Sequence, residues 1–409
     1  MTNNAMGAPP APTEAKMGLT GATTSALLKV GPNRDFKSIE AAAAKARDGD
    51  TVEIDAGDYL GDVAVWKQDR LTIRGVGGKV QLIAAGQSAE KKAIWVVRGG
   101  KITVENVVFK GAKVPDKNGA GIRFEKGHLL VKNCSFFDNE NGILTGNGDS
   151  VLEVENSEFG RNGYGDGYSH GIYVGSIKLF KLTGSYLHHA NIGHLVKTRA
   201  AENHIMYNRI TDETGGRASY ELDISNGGIA YVIGNIIQQG STTENGTIIA
   251  YGMEGYKWPV NELYLNFNTV MDDRPQGGLF INAKPGNRKI IGRNNLLSGK
   301  GKLNVGLGTG VKEMTIATVK RWVNNEAAPP ESGEVLLENN PSVDWDVFAQ
   351  ASRYDYRPAA NAVTKLIPVE SGTANGRALE ARREYAHPAS SAPLPGKPRW
   401  VGAMQTAAP

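Results

Sequence analysis

A short motif recurs along the middle of this 409-residue chain, and its period restricts the possible folds more than any other feature. Each copy joins two short, largely apolar segments through one residue that is often asparagine or glycine. The copies align at Asn106, Asn133, Asn156, Gly184, Tyr207, Gly234, Phe267 and Asn294, with spacings of 27, 23, 28, 23, 27, 33 and 27 residues. Between the copies lies a further apolar segment, as in HGIYVGS (170–176) and GTIIAYG (246–252).

This period predicts a parallel solenoid, in which each short strand pairs with its counterpart one repeat later. A propeller blade would need about 40–45 residues per repeat, and the apolar spacing does not follow the helical period. Glycine supplies 51 of the 409 residues, well above its usual share of about 7%, which is typical of a chain with many tight turns. We therefore predict an all-β solenoid and exclude a helix bundle.

Equivalent residues of successive coils lie on top of one another in a solenoid, so recurring polar residues can form ladders. We expect the turn residues Asn106, Asn133 and Asn156 to form one such hydrogen-bonded ladder. The residues one position later predict a second ladder, formed by Ser157, Ser185, Asn208, Asn235, Asn268 and Asn295. Cys134 belongs to this second series, so we expect it to be buried and to have no redox role.

The ends of a solenoid expose unpaired strands and need caps. Apolar residues at helical spacing predict an N-terminal helical cap, and they are Phe36, Ile39, Ala42, Ala43 and Ala46. We expect a flexible segment over residues 1–25 and the capped β-helix over residues 26–300. C-terminal coils and an irregular tail over residues 301–409 should pack on the solenoid, with one short helix near residues 316–325.

Composition excludes several classes of protein. The chain is 40% hydrophobic and 22% charged, with a net charge of +4, which fits neither a disordered nor a membrane protein. No apolar run approaches the roughly 20 residues of a spanning helix, and no basic cluster indicates a nucleic-acid partner. A single cysteine rules out an intrachain disulfide, a zinc site with cysteine ligands and an iron–sulfur cluster.

Side chains alternate between the two faces of a strand, so the outward residues of successive coils can be aligned. Placing Ile172, Val196 and Leu222 in the interior sends Lys197 and Arg199 outward. The predicted outer column contains Gly175, Lys197, Asp223 and Tyr251, and Arg199, Ser225 and Glu221 flank it. This is the densest set of chemically active side chains in the chain.

Lys197 and Arg199 suit β-elimination on a uronic-acid polysaccharide. That reaction needs a base that takes the proton next to the carboxylate, and a cation that neutralises the carboxylate. A neighbouring arginine disfavours the ammonium form of a lysine, so we expect Lys197 to be the base and Arg199 the neutralising cation. His170, at the edge of the predicted groove, or Tyr251 would donate the proton, whereas His194 should point inward.

The residues alone leave three other functions open. A glycoside hydrolase would use carboxyl groups about 5–10 Å apart, taken from Asp223, Glu221 and Glu254. A C5-epimerase would begin with the same proton abstraction, and a non-catalytic binder would stack aromatic side chains on sugar rings. In each case we expect no metal site, and a substrate groove lined by Asp223, Glu221, Tyr173, Glu254, Trp258 and Asn226.

The segments FKSIEAA (36–42) and GDTVEIDAGDY (49–59), followed by asparagine-marked coils, resemble the right-handed parallel β-helix superfamily of pectate-lyase-like proteins. The segments DYRPAANAVTKLI (355–367) and GKPRWVGAMQ (396–405) resemble the closing segments of its bacterial members. The resemblance covers about residues 25–405 and implies a single-domain right-handed parallel β-helix. Because the superfamily contains lyases, hydrolases, epimerases and non-catalytic binders, the resemblance implies no single reaction.

The segment HLVKTRAAENHIMYN (194–208) resembles the strand that carries the basic lysine of β-helix alginate and chondroitin lyases, and Lys197 matches that lysine. Those families place a catalytic arginine one coil later, where this chain has Asp223. They also place calcium-binding glutamates just before the lysine, where this chain has NIGHLV (191–196), so we expect no cofactor and no calcium-assisted mechanism.

The expected partner is therefore an acidic polysaccharide, and the expected reaction is its cleavage by a lyase. This substrate class implies a periplasmic or secreted protein, although the first residues lack the apolar core of a signal peptide. We expect the protein to be a monomer.

Overall fold

The computed structural model of the protein describes residues 25–243, 245–305 and 333–408. Within these ranges the chain winds into successive coils, and each coil adds one strand to each of three parallel faces, here called sheets A, B and C. Sheets A and B are continuous through two long strands and together contain 21 strands, whereas sheet C contains 10. The single all-β solenoid expected from the repeat is confirmed.

Sheet A contains Leu27–Val30, Thr51–Leu60, Arg70–Ile83, Lys101–Glu105, His128–Lys132, Gly148–Glu155, Ile177–Thr183, Glu202–Met206, Ile229–Ile233, Glu262–Asn266, Lys289–Arg293 and Glu334–Glu338. Sheet B continues from two of these strands and adds Val107–Lys110, Ser135–Phe137, Glu158–Gly160, Tyr186–His188, Arg209–Thr211, Ile236–Gln239, Thr269–Asp272, Leu296–Gly299 and Ser342–Val343. Sheet C contains Ala64–Trp66, Ala93–Val97, Ala120–Phe124, Asn141–Thr145, Ile172–Val174, Val196–Thr198, Leu222–Ile224, Thr247–Tyr251, Leu279–Ala283 and Lys302–Asn304.

The recurring residue of the motif occupies the corner between sheets A and B, in left-handed backbone conformation. Its φ lies between +48° and +67° at all eight aligned positions. Glycine adopts this conformation without strain, and asparagine tolerates it better than most residues. We predicted that Asn106, Asn133 and Asn156 recur because their side chains form a hydrogen-bonded ladder. The left-handed backbone conformation of the corner explains their recurrence instead.

The second predicted ladder is confirmed, and it runs through the interior next to this corner. The backbone N–H and the side-chain Nδ2 of Asn208 both donate to Oδ1 of Asn235, each at 3.0 Å. The same pair of bonds links Asn235 to Asn268 and Asn268 to Asn295. Each ladder asparagine thus satisfies buried backbone groups that a turn would otherwise leave unpaired.

Cys134 lies near the N-terminal end of this ladder, where its backbone N–H donates to Ser157 Oγ at 3.1 Å. The side chain is only 1% exposed, as predicted. Burial raises the pKa of the thiol to about 12, so the reactive thiolate form is strongly disfavoured.

The interior is filled by apolar residues that stack from coil to coil. Phe109, Phe136 and Phe159 form a continuous ring stack, with centroid distances of 4.9 and 4.6 Å. The α-helix Ile39–Lys45 covers the N-terminal end of this core and buries Ile39, Ala42 and Ala43. Ser38 caps the helix by accepting a hydrogen bond from the Ala41 N–H at 3.2 Å. The predicted N-terminal cap is confirmed.

The C-terminal tail packs on the outer faces of sheets A and B. Phe348, Tyr356, Leu366, Tyr385 and Trp400 form one apolar cluster with sheet B residues Tyr186, Ile236, Met271 and Leu296. Ala374, Leu379 and Ala381 form another with Tyr207, Tyr231, Ile233, Tyr264 and Phe267. The described tail therefore covers the two faces that lie away from sheet C.

The tail contains three antiparallel hairpins and three short 3-10 helices. The hairpins pair Phe348–Gln350 with Asp355–Pro358, Thr373–Ala374 with Arg377–Ala378, and Arg383–Ala386 with Ser390–Pro393. The 3-10 helices are Trp345–Val347, Ala351–Arg353 and Val363–Lys365. Among the described helices, none has the length and apolar character needed to cross a bilayer. The expected flexible residues 1–24 and the expected helix at 316–325 lie outside the described ranges.

Replacing Asn235 by alanine should destabilise the solenoid, because two buried donors of Asn208 would lose their acceptor. Each unsatisfied buried donor costs about 1–3 kcal/mol, so we expect a loss of about 3 kcal/mol in the free energy of unfolding. Urea unfolding followed by circular dichroism measures this loss. The exposed Asn33 provides the matched control, and an Asn235→Ala protein as stable as Asn33→Ala would contradict the ladder.

Candidate active site

Lys197 and Arg199 project from the outer face of sheet C, as the alternation predicted. Lys197 lies in register with Tyr173 on one side and with Asp223 on the other. The outer column is therefore Tyr173, Lys197, Asp223 and Ala250, whereas Gly175 and Tyr251 had been expected at its two ends. In the structure Ile172 pairs with Val196 and Leu222 pairs with Ile249. This register places Tyr173 beside Lys197 and Ala250 beside Asp223, in the positions expected for Gly175 and Tyr251.

Tyr251 was expected to be a proton donor in the groove, and this prediction was wrong. Its strand places it in register with Ile224, on the inward side of sheet C. The side chain is fully buried, and its hydroxyl donates to the backbone oxygen of Gly228 at 2.7 Å. The hydroxyl is therefore part of the core and faces no substrate.

Glu254 is the acidic centre of the site. Its carboxylate forms a two-pronged ion pair with Arg199, whose Nε and Nη2 donate at 2.9 Å each. Oε1 of the same carboxylate also accepts from Lys197 Nζ at 2.8 Å. Burial raises the pKa of Glu254, but the adjacent Lys197 and Arg199 outweigh burial and hold the pKa below its ordinary value. One carboxylate thus joins both predicted catalytic cations.

Trp258 and Asn226 hold the loop that carries Glu254. The Trp258 indole N–H donates to the backbone oxygen of Arg199 at 3.0 Å. The Asn226 side chain donates to the backbone oxygen of Gly255 at 3.1 Å. Both residues were expected to line the groove and contact sugar, but these polar groups are engaged in fixing the loop over Arg199.

Asp223 is a nearly inaccessible carboxylate beside Lys197. It is 2% exposed, and its Oδ2 lies 3.2 Å from Lys197 Nζ and accepts from Ser225 Oγ at 2.6 Å. Its Oδ1 is buried and has no hydrogen-bond partner in the described structure. Burial raises the pKa of Asp223, and the nearby Lys197 and Ser225 offset only part of that rise.

His194 was expected to be an interior residue, but it contacts this site. Its ring is buried, and its Nε2 lies 3.5 Å from Asp223 Oδ2. The Tyr220 N–H donates to His194 Nδ1 at 3.2 Å, so the neutral ring carries its proton on Nε2. Burial, together with the charges of Lys197 and Arg199, lowers the pKa of His194 to about 3. Strand alternation could not reveal this role, because His194 precedes the strand Val196–Thr198.

His170, the other expected proton donor, lies beneath the surface of the groove. It is 2% exposed, and its ring stacks on those of Tyr173 and His194 with centroid distances of 5.3 and 4.6 Å. Its Nδ1 accepts from the His194 backbone N–H at 2.9 Å. Burial and the charges nearby lower the pKa of His170 far below its usual range. A neutral, stacked and buried imidazole supports Tyr173 from below, and the geometry does not suit it to protonate a leaving group.

Glu221 was expected to face outward and is instead fully buried. It lies just before the strand Leu222–Ile224, so the alternation of that strand does not extend to it. Its Oε2 accepts from Gln239 Nε2 at 3.5 Å, and its Oε1 has no partner in the described structure. Burial, with further contributions from Asp212 and Asp272, raises the pKa of Glu221 well above its usual value. Glu221 cannot line a substrate groove.

Tyr173 and Arg199 lie at the end of a groove of about 670 Å³ on the outer face of sheet C. The Tyr173 hydroxyl accepts a hydrogen bond from Arg199, whose guanidinium carbon lies 4.9 Å from the tyrosine ring centroid. The groove is lined by Lys91, Lys92, Asp116, Asn118, Arg123, Leu144, Thr145, Gly146, Asn147, Tyr168, Tyr173, Gly175, Ser176 and Arg199. Four of these residues are cationic and one is acidic, so the groove suits an anionic ligand.

Among the described residues, no group of three or more histidine, cysteine, aspartate or glutamate side chains is arranged to hold a metal ion. The segment NIGHLV (191–196) contains no carboxylate, and the Nε2 of its His194 lies 3.5 Å from Asp223 Oδ2.

Replacing Glu221 by glutamine should remove a pH-dependent loss of stability. Below a pH of about 4.5 the carboxyl is protonated in both the folded and the unfolded chain. Above that pH only the folded chain retains the proton, so native stability falls by about 1.4 kcal/mol per pH unit until the native pKa is reached.

Glu221→Gln should therefore match the unchanged protein at pH 4 and be increasingly more stable at higher pH, measured by urea unfolding across pH. The exposed Glu40 gives the control variant Glu40→Gln. A stability difference that does not grow with pH would show that Glu221 is not buried in its protonated form.

Comparison with known proteins supports the fold and leaves the reaction open. No protein-family model matches the sequence, and no curated protein matches it. The solved crystal structure of pectate lyase Pel9A is similar, with a TM-score of 0.57 and 12% sequence identity. The match covers 90% of this chain and 98% of that chain. At this identity the likeness concerns architecture alone, and it agrees with the parallel β-helix described above.

Proposed function

We propose that the protein is a polysaccharide lyase that cleaves a uronate-containing polymer by β-elimination. The observation that carries this proposal is the position of Glu254, whose carboxylate is held by both Lys197 and Arg199 at the end of a cationic groove. A uronate presents the same carboxylate group. The pocket that binds Glu254 is therefore suited to bind a substrate carboxylate in its place.

Arg199 would neutralise the substrate carboxylate. Its guanidinium already binds a carboxylate through two parallel hydrogen bonds, and it remains positively charged because Tyr173 and Glu254 outweigh burial and raise its pKa. Neutralisation makes the adjacent carbon acidic enough to lose its proton, because the resulting negative charge is spread onto the carboxylate. Glu254 must leave Arg199 before this can occur.

Lys197 would be the base. In the free protein it lies between Glu254 and Asp223, with its Nζ 2.8 and 3.2 Å from their carboxylate oxygens. As Glu254 leaves, Lys197 releases a proton to solvent, and the neutral amine then takes the proton next to the substrate carboxylate. The electron pair of that C–H bond forms the new C=C bond, and the bond to the leaving oxygen breaks.

Tyr173 replaces His170 and Tyr251 as the proposed proton donor. Its hydroxyl lies against Arg199 at the end of the groove, and its side chain is only partly buried. It would protonate the leaving oxygen and recover its proton from solvent. A polysaccharide substrate would place the protein outside the cytoplasm, acting as a monomer along the polymer.

Hydrolysis is the second candidate function, and one observation favours it. Asp223 and Glu254 both contact Lys197 Nζ, at 3.2 and 2.8 Å, so these two carboxylate oxygens are separated by at most about 6 Å. The pKa of Asp223 is raised and that of Glu254 is lowered, as in an acid and nucleophile pair. Against hydrolysis, Asp223 is only 2% exposed.

Lyase activity is tested on a panel of uronate polymers by reading ultraviolet absorbance together with reducing ends. The unchanged protein should produce both signals, because elimination creates a double bond conjugated with the carboxylate. Lys197→Ala should lower the rate by about 10³-fold, as expected for loss of the base. Lys178→Ala, which removes an exposed lysine on sheet A, is the control and should keep full activity. Reducing ends without absorbance would contradict elimination and favour hydrolysis, and binding without either signal would favour a non-catalytic protein.

The Glu254→Gln variant distinguishes β-elimination from hydrolysis. In the lyase, Glu254 competes with the substrate carboxylate, so its loss should lower KM by about fivefold, the equivalent of one weak ion pair. In a hydrolase, the same change removes a reacting carboxylate and should abolish turnover. Steady-state kinetics of this variant on the polymer that the unchanged protein cleaves gives the answer. An unchanged or raised KM would contradict the displacement of Glu254.

A further inference from the structure

Arg123 lines the groove and has no acidic partner within the described part of the chain. Its strand, Ala120–Phe124, places it in register with Val96 on one side and with Leu144 on the other. Val96 is fully buried and Leu144 is 6% exposed, and both belong to an apolar cluster on the outer face of sheet C. The arginine therefore has apolar neighbours on both sides.

Glu125, two residues after Arg123, is committed to other cations. Glu125 pairs with Lys92 Nζ at 2.6 Å and with Arg98 Nε at 2.8 Å. Across the described ranges, Arg123 forms no ion pair, and its Nε is buried without a hydrogen-bond partner. The buried Nε–H is an unsatisfied donor, and an incoming anion would supply the charge partner that this guanidinium lacks.

The groove connects Arg123 with Arg199. From Arg123 the outer column continues through Leu144 and Tyr173 to Lys197, which is three strand-to-strand steps. Neighbouring strands are about 4.8 Å apart, so the two ends of this column are separated by about 14 Å along the solenoid axis. A ligand that spans this column therefore extends along the groove.

We infer that Arg123 binds a second anionic group of a linear polysaccharide whose first anionic group is bound by Arg199. The polymer then lies along the groove, from Arg199 toward the N-terminal coils, and the ligand must be charged at more than one position. The nature of the ligand rests on the proposed function, whereas the anion site itself rests on the unpaired guanidinium. Carboxylate and sulfate groups share the required charge and geometry.

Binding is measured in the Lys197→Ala background, so that turnover does not consume the ligand. The probes are polygalacturonate, dextran sulfate, neutral dextran and the monosaccharide galacturonate. Arg123→Gln should weaken the binding of the polyanion by about tenfold, the effect of losing a charge-assisted hydrogen bond. It should leave galacturonate binding unchanged, because a monosaccharide whose carboxylate is bound at Arg199 carries no second charge for Arg123. Arg70→Gln, an exposed arginine on sheet A, is the control and should change neither.

The polymer that responds to Arg123→Gln identifies the anionic group as a carboxylate or a sulfate. The inference is overturned if Arg123→Gln leaves polyanion binding unchanged, if it weakens galacturonate equally, or if neither polyanion binds better than neutral dextran. Failure of the second anion site can be distinguished from failure of the proposed lyase reaction. A polyanion bound through Arg123 but never cleaved refutes the lyase alone, whereas a polymer cleaved without any dependence on Arg123 refutes the second site alone.

Discussion

Parallel backbone pairing between equivalent residues of successive coils determines where the side chains on the solenoid strands lie. Because each strand of sheet C pairs residue for residue with the next, one outward position generates a continuous column across the coils. Lys197 and Asp223 come from segments far apart in sequence, yet pairing makes them direct neighbours. The interior asparagine ladder stabilises the corner that keeps successive coils in this register. The site therefore depends on the same pairing as the core.

The pairing of charges at Lys197 and Arg199 forms a second constraint. Lys197 lies between two carboxylates, and Arg199 forms two hydrogen bonds with Glu254. The protein thus already contains a carboxylate where the proposed reaction needs one. Arg123 lies in the same groove and forms no ion pair among the described residues, and its nearby Glu125 binds Lys92 and Arg98. An extended anion would complete the pairing at both ends of the groove.

The solenoid, the second ladder and the outward position of Lys197 were predictable from sequence, because each depends on local periodicity. Strand alternation succeeded inside Val196–Thr198 and failed at Glu221, which lies one residue outside its short strand. Tyr251 was misplaced because the strand was aligned one residue out of its true register. The corner asparagines were correctly identified as structural, but their recurrence follows from backbone conformation.

The remaining features depend on contacts between distant parts of the chain. Glu254 was a weak candidate in the sequence, and its central place arises from a loop fixed by Trp258 and Asn226. His194 reaches Asp223 from a turn whose path no periodic pattern describes. Arg123 occupies an outward position in AGIRFEKG (120–127), which the alternation could have revealed, but only three-dimensional structure establishes that it has no acidic partner among the described residues.

The displacement of Glu254 by a substrate carboxylate is tested most directly by a crystal structure of the Lys197→Ala protein with a bound uronate oligosaccharide. We expect a sugar carboxylate to lie on the Arg199 guanidinium, in the position that Glu254 occupies in the free protein. We also expect Glu254 to have moved away. An oligosaccharide bound elsewhere, or bound while Glu254 still pairs with Arg199, would contradict this displacement.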